Sequence, residues 1–199
     1  MDRFQVAVRH FFDPILGAEG MLCVAEARDH VRYENGAVFL QVSFDWRRWR
    51  EISVTIGLRE HEHSPETVTF DLVDVLSAYR YLDVSRVELL RGSTDGAIDE
   101  AIGILSGLTG KYALDLLRNN REEFLYVATF RKWASLKYAW ERNIPKSVIV
   151  AYRSLLASPG YDRVRNTLDA QDLEILERAK ELSGFETGGL RNPSFPAGL

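Results

Sequence analysis

His61-Glu62-His63 is the first place in this sequence where residue types and spacing could do chemistry. An H-x-H pair can hold two imidazoles on one side of an extended segment, with Glu66 adding a carboxylate for a metal ion. No further ligand is fixed by spacing, so the stretch reads as a solvated acidic loop and no metal is expected. Asp45 and Glu51 are the carboxylate pair brought together by hairpin pairing. General acid–base work needs two carboxyls whose pKa values are pushed apart in a cleft, and the mouth of a hairpin is wet. Cys23 is the single cysteine and has no neighbouring histidine, so it reads as a small buried side chain. Gly110-Lys111 ends a stretch that begins with Leu105 where a phosphate loop needs glycine, and Ser106 misses the spacing of a nucleophile elbow. No catalytic residue and no cofactor is assigned.

The segment Asp45-Trp46-Arg47-Arg48-Trp49-Arg50-Glu51 offers recognition chemistry instead. Two tryptophans and three arginines in five consecutive residues supply a large contact area with few mobile angles and forked hydrogen bonding, as interface hot spots do. The alternative is that the indoles pack down on the helical half while the arginines neutralise Asp45 and Glu51. The aromatic and basic residues between Tyr126 and Arg142 admit a nucleic-acid reading as well, although at helical spacing they suit a core stripe with a wet basic side.

Positioning that loop falls to Val31–Leu58, where Val38, Leu40, Val42 and Phe44 share one parity, as do Ile52, Val54, Ile56 and Leu58. Alternate strand side chains share a face, so this is a half-buried antiparallel sheet. Asn35-Gly36 suits the two central positions of a type I′ turn, which pairs Glu34 with Ala37, Tyr33 with Val38 and Val31 with Leu40. With Trp46–Arg50 as the next loop, Phe44 faces Ile52, Val42 faces Val54, Leu40 faces Ile56 and Val38 faces Leu58. Phe39 falls opposite Gly57, where its ring can cover bare backbone. The other face carries Arg28, His30, Arg32, Gln41, Ser43 and Thr55, which can join the loop in one surface. The same register turns Asp29 inward beside Val42 unless the strand bulges or ends there.

Around this sheet the pattern predicts a helix over 2–12 stopped by Asp13-Pro14, a strand over 21–27 and a helix over 71–81; 85–90 is ambiguous between strand and helix. A helix capped near Thr94-Asp95 carries Ile98, Ile102, Leu105, Leu108, Tyr112 and Leu116, with Gly103, Gly107 and Gly110 marking close approach of another backbone. Further helices are expected over 122–143, from Pro145 to Leu156 and from Asp169 to a C-cap at Gly184, followed by a tail from Glu186. The expected fold is α+β: an N-terminal antiparallel meander of three to four strands packed against a mostly helical C-terminal half, in a single domain with parts 1–92, 93–185 and 186–199.

The net charge of −4 does not advertise nucleic-acid binding, though it is unevenly spread. Ten acids face three bases over 60–103, whereas nine bases face four acids over 121–165. No apolar run approaches the roughly 20 residues of a membrane helix. The N-terminus lacks the apolar core of a signal peptide, so a cytoplasmic location is the expectation.

The runs Y-E-N-G-A-V-F-L-Q-V-S-F-D, E-I-S-V-T-I-G and F-D-L-V-D-V-L, with the later A-L-D-L-L-R-N-N-R-E-E-F, resemble small, mostly uncharacterised bacterial α+β proteins, some of them similar to immunity proteins of toxin systems. About half of the chain takes part in this resemblance, mainly through hairpin and core residues. It implies a fold and a protein partner such as a toxin, and carries over no catalytic residue. The expected function is therefore a non-catalytic protein-binding module acting through Asp45–Glu51, with a nucleic-acid-associated or regulatory factor using the basic helical half, or an enzyme without a recognisable motif, as alternatives.

Overall fold

The computed structural model describes residues 2–47, 49–59, 69–80, 87, 90, 92 and 94–187, with side chains as far as 184. The elements run α1 (Arg3–Ala18), β1 (Leu22–Ala27), β2 (His30–Glu34), β3 (Val38–Phe44), β4 (Ile52–Leu58), β5 (Thr69–Asp71), α2 (Leu72–Ala78), α3 (Asp95–Tyr112), α4 (Leu114–Leu117), α5 (Arg121–Glu141), α6 (Pro145–Leu156), α7 (Tyr161–Thr167) and α8 (Ala170–Thr187). The architecture is α+β, and the chain forms two compact units, Met1–Phe124 and Leu125–Leu199, divided within α5.

The first unit is built on an antiparallel meander in the order β1-β2-β3-β4-β5. The pairing of β3 with β4 is the predicted one, from Val38 opposite Leu58 to Phe44 opposite Ile52. The sheet gains a fifth strand, β5, whose three residues pair with Thr55–Gly57 and are too few to show alternation. The first hairpin corrects the expected turn: Tyr33 faces Leu40 and Val31 faces Val42, a shift of two residues. Asn35 closes the turn instead of occupying its bend. Its N–H donates to Val38 O at 3.2 Å, its Oδ1 accepts from Val38 N at 3.0 Å, and its Nδ2 donates to Leu117 O at 2.8 Å. Gly36, at φ 91°, then takes the bend. Because side chains alternate with period two, the shift keeps every apolar residue on its face. Strand β2 begins at His30, which leaves Asp29 exposed in the turn between β1 and β2.

The apolar face is covered within this unit. Phe4 of α1 stacks on Phe44 with ring centroids 5.4 Å apart, and Tyr33 donates to Asp13 Oδ1 at 2.7 Å. Helix α1 runs through the expected stop at Pro14. The proline costs about 3 kcal/mol, while continuing the helix past it buries Leu16, which contributes about 1.5–3 kcal/mol. Gly103 and Gly110 of α3 do face another helix, since a Cβ there would lie 3.4 Å from Phe11 and 3.3 Å from Ile15 of α1, but one at Gly107 would meet nothing. Leu116 belongs to the separate α4.

On the other face, Phe39 covers Gly57 as predicted: a Cβ at Gly57 would stand 2.6 Å from both Phe39 Cε1 and Thr69 Cγ2. The Arg32 guanidinium lies 4.0 Å from the same ring's centroid. Gly57→Ala should therefore lower stability by about 1–3 kcal/mol through overpacking. Urea denaturation measures this, and an unchanged midpoint would mean that the ring is not seated there.

In the second unit, α6 and α8 pack together. Trp133, Leu136, Tyr152, Leu155, Leu176 and Ala179 are buried, whereas Leu156 is exposed. A short helix, α7, stands between α6 and α8; a Cβ at Gly160, before its first turn, would lie 3.1 Å from the Leu125 carbonyl oxygen. Helix α8 continues through Gly184 to Thr187, so Gly184 is not its cap. Residues from 188 onward lie outside the described part.

Candidate partner-binding loop and groove

The β3–β4 connection is held by backbone hydrogen bonds that the strand register brings together. Asp45 N donates to Glu51 O at 2.9 Å, Trp46 N to Phe44 O at 3.0 Å and Arg50 N to Asp45 O at 2.7 Å. Asp45 Oδ1 accepts from Arg47 N at 3.2 Å, folding the first half of the loop over its own carboxylate. Arg50 adopts a left-handed φ of 54°. That conformation is unfavourable for a residue with a Cβ, and a reciprocal clamp accompanies it. Gly92 N donates to Arg50 O at 2.8 Å while Arg50 Nε donates to Gly92 O at 2.8 Å. Arg50 thus spends part of its fork inside the protein.

The two indoles have different environments. Trp46 is half-buried, with the guanidinium of Arg28 4.0 Å and that of Arg47 4.9 Å from its ring, distances at which cation–π attraction operates. Trp49 is 60% exposed. Asp45, Arg47, Arg50 and Glu51 are exposed around them, and Arg48 lies outside the described residues.

Beside the loop, on the polar sheet face, an open groove of about 430 Å³ is lined by Asp29, His30, Gln41, Ser43, Trp46 and Arg47 among others. His30, Gln41 and Ser43 were legible from parity; Asp29 was not. The two-residue shift in the first hairpin explains the difference. It places Ser43 opposite His30 and brings Asp29 alongside Phe44, whose N–H donates to Asp29 O at 2.8 Å. No residue-type signal marks the Arg28–Trp46 stack or the Gly92 clamp, both of which join segments distant in sequence.

His30 Nδ1 lies 2.9 Å from Asp29 Oδ1, and this contact holds the Asp29 carboxyl below its ordinary range. Asp29 should titrate below an ordinary aspartate, and His30→Ala should move it back up, as followed by carboxyl NMR. A lowered folded-state pKa stabilises the fold above the unfolded value and is lost as pH falls through the folded one. Ser43 Oγ accepts from Gln41 Nε2 at 3.0 Å.

His61, Glu62, His63 and Glu66 lie outside the described residues; among those described, no group of three His, Cys, Asp or Glu side chains is gathered for a metal. Cys23 is half-buried, and burial pushes its thiol up, away from the reactive thiolate. Tyr126 and Trp133 are buried, which withdraws them from base stacking. Among the described residues no helix is long and apolar enough to cross a membrane. No known family model matches this chain, and no curated protein or solved structure is significantly similar to it.

Proposed function

We propose that this chain is a non-catalytic protein-binding module that works in the cytoplasm and engages its partner through Asp45–Glu51 and the adjoining groove. The observation that carries the proposal is Trp49, 60% exposed on a loop whose backbone is pinned at both ends. A fixed loop has already lost the conformational freedom that binding would otherwise remove, and an indole is the residue type most enriched among hot spots. Arg47 and Arg28 frame the neighbouring indole with cations suited to acidic or carbonyl-rich partner surface. The resemblance to immunity proteins supports a toxin as that partner, which the loop would occlude. The test is to co-express the chain with the product of the adjacent gene and titrate the purified proteins by calorimetry. Saturable binding with loss of toxicity is expected; absence of binding removes the antidote reading.

A further inference from the structure

A second surface lies wholly within the Leu125–Leu199 unit and takes no residue from the loop. Tyr138 of α5 and Val150 of α6 are 59% and 69% exposed, and Ile144 between the helices is exposed too. Together with Ala139 and Ala151 they line a mainly apolar open groove of about 540 Å³. Folding does not call for these side chains. Val148, Ile149, Tyr152 and Leu155 of the same helix are buried and already supply its core stripe, whereas an exposed β-branched Val150 lowers helix propensity. The polar positions of the lining are two lysines, Lys132 and Lys146, and serines, with no carboxylate among the described lining residues. Helix α6 contributes Lys146 and Arg153 and no acid, and the Arg142 guanidinium lies 5.3 Å from the Tyr138 ring centroid.

We infer that this groove docks an amphipathic helix of a partner protein, its apolar stripe seated on Tyr138, Ile144 and Val150 and its flanking carboxylates facing Lys132 and Lys146. A trough between two helices accepts the ridge of a third, and a cationic rim selects a helix edged with acids. The concave form disfavours a bilayer, which needs apolar residues projecting outward on a face that can lie flat on it. An apolar floor disfavours nucleic acid, whose outer surface is phosphate.

The experiment is fluorescence anisotropy on the full chain with a labelled helical peptide of about 18 residues, leucine on one stripe and glutamate on both flanks. A second peptide carries lysine in place of glutamate, and vesicles of mixed neutral and anionic lipid serve as a third probe. The acidic peptide should bind saturably and more weakly as salt rises. Val150→Glu should weaken it at least about tenfold and Lys146→Glu several-fold. Val150→Ser, which introduces no charge, should also weaken it, with unchanged circular dichroism and melting for all three variants. The inference is overturned if the acidic peptide does not saturate, if the lysine peptide binds equally well, if the Val150 variants bind like wild type, or if only vesicles bind.

Discussion

Phe4→Ala should destabilise the first unit by about 3–5 kcal/mol, the cost of emptying an aromatic site in a packed core. Phe4 is buried and stacks on Phe44 with an interplanar angle of 28°. Phe44 pairs with Ile52 across the ladder, and its carbonyl accepts the Trp46 N–H. The Arg50 guanidinium lies 5.9 Å from the Phe44 ring. The change therefore removes packing beneath the exposed loop as well as from the core. Against a typical total stability of about 5–15 kcal/mol, the loss should appear as a large drop in the urea midpoint and faster amide exchange over 44–52. A midpoint close to wild type would mean that α1 is not docked on β3 through this ring.

The second large effect is on binding rather than folding. Trp49→Ala should leave the melting temperature close to wild type, because the residue is 60% exposed and backbone hydrogen bonds, Asp45 and Arg50 hold the loop's conformation. Affinity for the partner should fall by about 2 kcal/mol or more, roughly thirtyfold, as expected when a central aromatic anchor is removed. Trp46→Ala is the informative companion. Trp46 is held against Arg28 and Arg47, so its loss should lower both affinity and the order of the groove wall. A Trp49→Ala protein with unchanged affinity would mean that the exposed indole is incidental to recognition.

The parts of the fold visible in the sequence were those governed by local periodicity. The β3–β4 register follows from two runs of matching parity, and the cover of Gly57 by Phe39 follows from that register. The first hairpin was misjudged by two residues because Asn35-Gly36 is a signal for a turn, while the position of the bend depends on what the asparagine side chain binds; here it reaches Leu117, far along the chain. Pro14 is an equally local signal, overridden by burial of Leu16 beyond it. The candidate site shows the same division. The Trp-Arg composition of the loop could be read directly, whereas its conformation depends on Gly92 and its groove on the shifted hairpin, both long-range outcomes. Exposure separates Trp49 from Trp46, and nothing in their residue type or spacing does so.

Amide hydrogen exchange of the wild-type chain, alone and saturated with the product of the adjacent gene, is the most direct test of the binding surface. The loop proposal predicts slowed exchange concentrated over 45–51 and 28–30, the loop and the hairpin turn that border one groove. Slowing elsewhere in the chain, with these two segments exchanging as in the free protein, would contradict it.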